Sequence, residues 1–290
     1  MNLLKAIILG LVQALSAYAP VSSATHIRVL GTLLLGGAPS PTFVAAVQLG
    51  SVLAVTVRFR RDIARIFSRW RSCLLGEHGT DWKSRMGRGD RNATFGWYVI
   101  IANVPVLVLG VPFGGIAGKA LDNLWFQVAA LLAFGVLLWI VDARVGQLKT
   151  LREMTYRDAL FLALGQMLAL IPGVSLSAGA LTLGRARGLT RESVVRAWLI
   201  MAIPAGLASV LYQLYGAVTG SGGMTVFPGL LATLVAGLVS FALGYVVIVG
   251  LLRFVSTFSL KVFAIYRIAF ALVIVFLLLF GAVPAAASAM

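Results

Sequence analysis

The chain has 290 residues, 60% of them hydrophobic and only 11% charged, with a formal net charge of +15. A soluble domain carries about 25% charged residues, so this composition, with a mean hydropathy of +0.98, excludes an ordinary soluble fold. The positive balance would suggest nucleic acid in a soluble protein; among long apolar runs it marks loops facing an anionic leaflet, and no nucleic-acid partner is expected.

The first apolar stretch runs from Leu3 to about Leu35 and is interrupted by Pro20-Val21-Ser22-Ser23. Lys5, the apolar run and Ala17-Tyr18-Ala19 loosely imitate a signal peptide. Gln13 interrupts the run and a single charge precedes it, so the segment is expected to stay in the fold. Six further stretches are long enough to cross a bilayer, which needs about 20 residues of helix: 41–57, 95–117, 122–142, 193–217, 226–252 and 262–284. A second broken stretch runs from Ala159 to about Leu183 and is interrupted by Pro172-Gly173-Val174-Ser175. Proline and glycine end helices, and serines can satisfy part of the backbone thus freed. Cys73 is the single cysteine, which excludes an internal disulfide and a cysteine metal cluster.

Charge sets the expected topology. Ten Lys/Arg fall in 58–91, four in 144–157, and Arg185, Arg187, Arg191 and Arg196 form a third basic cluster. The first two are expected to be cytoplasmic loops, and the third is expected on the same side. The broken segment between the second and third clusters must then enter and leave on one face, as a re-entrant hairpin. Gly118–Asp122 and Thr219–Gly223 are read as outer loops, and Arg253 and Lys261 as inner. With a second hairpin at the N-terminus, the expectation is an all-α polytopic membrane domain spanning residues 1–290. It consists of two inverted-topology repeats, about 1–142 and 143–290, each a re-entrant hairpin plus three transmembrane helices. Gln13-Ala14-Leu15 ahead of the first break and Gln166-Met167-Leu168 ahead of the second are a faint echo of such a repeat.

Irregular backbone at membrane depth is tolerated only where protein or a water-filled cavity covers it, so the breaks are where function is sought. The first offers Tyr18, Ser22, Ser23, Thr25 and His26; the second offers Ser175, Ser177 and Thr182, with Arg185 and Arg187 following. Hydroxyls, helix N-termini and guanidinium groups suit an anionic head group, phosphate above all. The blander reading is that the serines merely solvate the breaks. Ser22 or Ser23 with His26 could support nucleophilic attack with acid–base help, although a lone histidine is more often structural.

Several ordered motifs then carry a resemblance: Pro20-Val21-Ser22-Ser23 with His26, Val47-Gln48-Leu49-Gly50-Ser51, Met154-Thr155-Tyr156-Arg157, Ala169-Leu170-Ile171-Pro172-Gly173-Val174-Ser175 and Phe263-Ala264-Ile265-Tyr266-Arg267. Over nearly its whole length the chain resembles the undecaprenyl-diphosphate phosphatases of the bacitracin-resistance type. The resemblance implies hydrolysis of undecaprenyl diphosphate to the monophosphate, in recycling of the cell-wall carrier lipid, in the bacterial cytoplasmic membrane, with a divalent cation such as Mg²⁺ or Ca²⁺. Partners would be a polyprenyl phosphate or diphosphate and the membrane, with a homodimer left open. Catalysis would fall to Ser22, Ser23 and His26, and phosphate binding to Ser175, Ser177 and Arg185.

Three departures from the family pattern matter. Gln13 and Ala17 stand where the family has glutamates, and Leu176 stands where its second motif, Pro-Gly-x-Ser-Arg-Ser-Gly, has arginine. No carboxylate precedes Asp62, Mg²⁺ is usually held through one or two carboxylates, and no residue is assigned to a metal. Arg28, Arg185 and Arg187 are candidates to replace the lost guanidinium, with loop charge the simpler account of the last two. The alternative function is a catalytically impaired homologue that binds or translocates a polyprenyl phosphate, which needs neither metal nor nucleophile.

Overall fold

The computed structural model describes residues 2–120, 123–219 and 229–286. Among these every regular element is helical. Of the loop expected at 219–223 all but Thr219 lies outside the described residues, and of the connector expected at 118–122 residues 118–120 are helical while 121–122 lie outside them.

The first broken stretch forms α1 (Leu3–Ala17) and α2 (Ser23–Leu35). Asn2 caps α1 by accepting from the Lys5 amide at 3.0 Å, and Gly36, at φ 80°, ends α2. The Lys5 ammonium donates to the Leu34 carbonyl, so the outer ends of the two helices lie together and the pair is a hairpin. Then comes α3 (Pro41–Arg58), capped by Ser40 with proline at the first helical position, where its missing N–H costs nothing. The second broken stretch forms α8 (Tyr156–Met167) and α9 (Leu176–Ala186). Thr155 and Asp158 build a capping box at the start of α8, which satisfies two orphan donors. Asp158 also takes Lys149 at 3.1 Å and Arg187 at 2.9 Å, which ties the two ends of this hairpin to each other.

Six helical spans are long and apolar enough to cross a membrane, as expected. They are α3, α6 (Arg91–Ala120), α7 (Leu124–Arg144), the pair α10 (Arg191–Met201) and α11 (Ile203–Thr219), α12 (Leu230–Thr257) and α13 (Lys261–Leu279). The protein is thus a multi-pass membrane protein. The break between α10 and α11 precedes Pro204, which cannot donate. Asn103 of α6 stitches it, donating to the Met201 carbonyl at 2.7 Å and accepting from the Ala205 amide at 2.9 Å.

One reading needs correction. Residues 58–91 do not form a loop: most of them make α4 (Arg60–Leu74) and the short α5 (Trp82–Arg85). Helix α4 is strongly amphipathic and packs against α6, because its apolar stripe would otherwise face water.

The four basic segments converge on one end of the bundle. Arg196 of α10 pairs with Asp62 of α4 at 2.9 Å, and Arg91 donates to the Arg152 carbonyl. Asp142, buried at the end of α7, takes Arg185 at 3.1 Å, Arg191 at 2.9 Å and the Leu260 amide at 2.9 Å. At the other end the Leu124 amide donates to the Ala285 carbonyl at 2.7 Å.

Close helix approach in this fold depends on glycine. Gly165 of α8 and Gly179 of α9 face each other so closely that a Cβ on either would strike the other's carbonyl. Side chains there must push the hairpin apart, and overpacking commonly costs about 1–3 kcal/mol. Gly179→Val is therefore expected to lower the thermal unfolding midpoint in detergent, while Gly250→Val, with open space around it, leaves it unchanged.

Candidate functional site

The two hairpin tips meet. Ser177 of α9 donates to the Ala19 carbonyl of the first tip at 3.0 Å. Behind them lies Arg267 of α13, fully buried. It donates to Pro20 O at 3.1 Å in the first tip and to Gly173 O at 3.0 Å and Val174 O at 3.2 Å in the second. Its remaining bonds go to the Leu131 and Ala130 carbonyls of α7. One guanidinium thus satisfies carbonyls that the breaks leave without helical partners.

The tips share an unusual backbone. Ser22 and Ser175 are the only non-glycine residues with positive φ among those described, at 70° and 78°. Each is the N-cap of the following helix, and neither caps it with its side chain. Such conformations cost on the order of 1–3 kcal/mol and concentrate at functional sites. Both hydroxyls are engaged sideways instead. Thr25 donates to Gln127 Oε1 at 3.0 Å, so its oxygen accepts from Ser22 at 2.9 Å. Ser177 spends its proton on Ala19, so its oxygen accepts from Ser175 at 2.8 Å. The first-turn N–H groups of α2 and α9 are thereby left for another acceptor, as at an anion site.

A cavity of about 720 Å³ opens at the tips. Ser22, Ser23, Ser175 and Ser177 line it together with Gln13, Ala17, Leu176, Arg28, Gln48 and Gln166. Much of the remaining wall is aliphatic, including Val44, Val52, Val106, Leu107, Leu170 and Ile203. Such a lining suits an apolar chain with a polar head. Among the described residues Arg28 is the only formally charged one on the wall, and it also donates to the Ala285 carbonyl at 3.3 Å. Gln13 donates to Ser51 at 3.4 Å, which pairs with Ser240 at 2.9 Å.

Most of the expected site residues come together, with two corrections. Arg185 does not reach the cavity. It is fully buried at the basic end, on Asp142 and on the Val145, Gly146 and Leu189 carbonyls, because an unpaired buried guanidinium would be far costlier. His26 is likewise not on the cavity wall. Its Nδ1–H donates to the Ser22 carbonyl at 2.8 Å and its Nε2 accepts from the Tyr266 hydroxyl at 2.8 Å, while its ring stacks on Phe270 at 3.8 Å. With both nitrogens occupied, its ring holds no hydrogen bond to either serine hydroxyl. Ser23 is different: it lines the cavity and its hydroxyl makes no hydrogen bond among the described residues. Gln166 escaped the sequence reading as a site residue, although its place in the Gln166-Met167-Leu168 echo of Gln13-Ala14-Leu15 was the available signal.

The donor set does not fit a resident divalent cation. Among the described residues no Asp, Glu or His lines the cavity, and no group of three or more His, Cys, Asp or Glu could hold a metal. Carbonyls of neutral glutamines and hydroxyls alone are a poor substitute for the carboxylates that Mg²⁺ usually requires.

The fold and cavity define a class: helical membrane proteins in which two broken hairpins meet at a polar floor under apolar walls. Comparison with known proteins narrows it. The family described as bacitracin resistance protein BacA matches residues 6–273. A protein of Bifidobacterium longum subsp. infantis named undecaprenyl-diphosphatase is 53% identical over 285 residues, covering 98% of this chain and 97% of that protein. One so named from Bifidobacterium longum is 52% identical with the same coverage. Another from Pseudarthrobacter chlorophenolicus is 39% identical over 286 residues, covering 98% and 100%. The chain belongs to the BacA family.

Proposed function

We propose that this protein is an undecaprenyl-diphosphatase, which removes the terminal phosphate of undecaprenyl diphosphate at the cleft between its hairpin tips. The observation that carries the reading is the pairing of two strained serine N-caps, Ser22 and Ser175, at the floor of one largely apolar cavity. The isoprenyl chain would lie along the aliphatic walls. The diphosphate would face the first turns of α2 and α9, whose free N–H groups favour an anion. The kinship with proteins named for this reaction supports the substrate.

Of the two candidate nucleophiles we assign Ser23, because the Ser22 proton is committed to Thr25. Its oxygen would form a bond to the terminal phosphorus as the bond to the bridging oxygen breaks, its proton passing to a phosphate oxygen of the substrate. The polyprenyl monophosphate would leave, and water would then cleave the phosphoserine bond to release inorganic phosphate and restore the hydroxyl. Helix-terminal N–H groups would hold the charge that develops on the phosphoryl oxygens. The arrangement of two inverted repeats, divided near residue 143, belongs to the same reading: each half is a hairpin followed by three spans, and the hairpins open away from their shared tips.

Phosphate release from undecaprenyl diphosphate by the purified protein tests the reading. Release by the native chain, reduced at least about 100-fold in Ser23→Ala, is expected. The neutral residues Gln13, Ala17 and Leu176 on the wall favour the second reading, a polyprenyl-phosphate binder or translocator. Retained lipid binding with no phosphate release from the native chain would decide for that one.

A further inference from the structure

We infer that the cleft recognises its phosphate group without a divalent cation, in the positive field of Arg267 behind the tips. The inference rests on the lipid-phosphate reading above and specifies the chemistry of that site.

The first observation is electrostatic. Arg267 is fully buried and all of its hydrogen bonds go to carbonyl oxygens. No carboxylate among the described residues lies within ion-pair distance of it. By contrast, the other fully buried arginine, Arg185, has Asp142. A buried charge without a counter-ion is costly, and carbonyl dipoles offset only part of that cost. The carbonyls that Arg267 holds precede Ser22 and Ser175 by one or two residues. Its positive field therefore falls where the helix N-termini face the cavity. That field attracts an anion and repels a divalent cation.

The second observation is that no described residue on the wall reverses the field. Glutamates at positions 13 and 17, as in the family pattern, would offset Arg267 and hold a metal. Gln13 and Ala17 do neither.

A third observation points to a ligand in the cleft. Gln166 is buried, lines the cavity and has its Nε2 fixed on the Ala102 carbonyl at 3.2 Å. Its Oε1 is left without a partner. A buried acceptor of this kind needs a donor. The P–OH of a singly protonated phosphate supplies one; a metal ion would be the rival occupant, and the test separates the two.

The probe is farnesyl diphosphate, titrated calorimetrically into purified protein in detergent with excess EDTA and again with excess Mg²⁺. The Kd is expected to agree between the two within about a factor of two. Farnesol, which lacks the phosphates, is expected to bind at least about tenfold more weakly in both. Binding that falls tenfold in EDTA and returns with Mg²⁺ overturns the inference, and needs no variant to show it. Farnesol that binds as tightly as farnesyl diphosphate in EDTA overturns it as well. The two proposals fail separately. Phosphate release that requires Mg²⁺ keeps the phosphatase and removes the metal-free site. EDTA-insensitive binding without release does the reverse.

Discussion

Arg267→Met is expected to destabilise the protein more than any other single substitution in the membrane core, by at least about 3 kcal/mol. The guanidinium joins carbonyls of the first tip (Pro20), the second tip (Gly173 and Val174) and α7 (Leu131 and Ala130). Methionine fills similar volume but donates nothing. Each buried carbonyl left without a donor costs about 1–3 kcal/mol, and in hydrocarbon no water replaces the lost bond. Arg267→Lys keeps the charge with a single nitrogen, so it cannot serve both tips and is expected to fall between the two. Thermal unfolding in detergent measures the stability, and farnesyl diphosphate binding reports whether the tips still converge. An Arg267→Met protein with an unchanged midpoint would mean that the tips hold each other without the clamp.

Arg267 also shows where the sequence was and was not legible. The helical spans could be read because apolar length is a one-dimensional property. The hairpins could be read because Pro20 and Pro172-Gly173 break helices wherever they fall. The gathering of basic segments at one end followed from counting spans between them. What escaped was every feature set by a contact between distant residues. Arg267 read only as part of a motif, since nothing in Tyr266-Arg267 shows that its partners lie about 90 and 250 residues away. Arg185 read as a phosphate ligand because it follows the second break. In the fold it sits at the end of α9, the hairpin's outer end, where Asp142 claims it. His26 is close in sequence to both candidate serines, but helical geometry turns its ring toward Tyr266 and Phe270. The basic run at 58–91 hid α4 because charge count was weighed there and helical periodicity was not.

Installing the family's pattern in this cleft, as Gln13→Glu with Ala17→Glu and Leu176→Arg, is expected to make phosphate release depend on Mg²⁺. Residues 13 and 17 are one turn apart on α1 and both line the cavity, so two carboxylates there would share a face. They would supply the minimum that Mg²⁺ usually takes from a protein. Ser51 and Ser240 already stand beside Gln13 to orient a carboxylate. Leu176 opens α9 directly after the Ser175 N-cap, so an arginine there would reach the phosphate that faces that helix. In the variant, release with Mg²⁺ is expected to exceed release in EDTA by about 100-fold, against a ratio near one for the native chain. The partial variants carry the sharper physics. Two carboxylates without a cation repel a diphosphate, so Gln13→Glu with Ala17→Glu is expected to bind farnesyl diphosphate more weakly than the native chain in EDTA and to recover with Mg²⁺. Leu176→Arg alone is expected to bind it more tightly in both. The acids and the metal therefore stand or fall as a unit. A cleft that has lost its acids keeps its affinity for phosphate only if its field is already positive, as Arg267 makes it here.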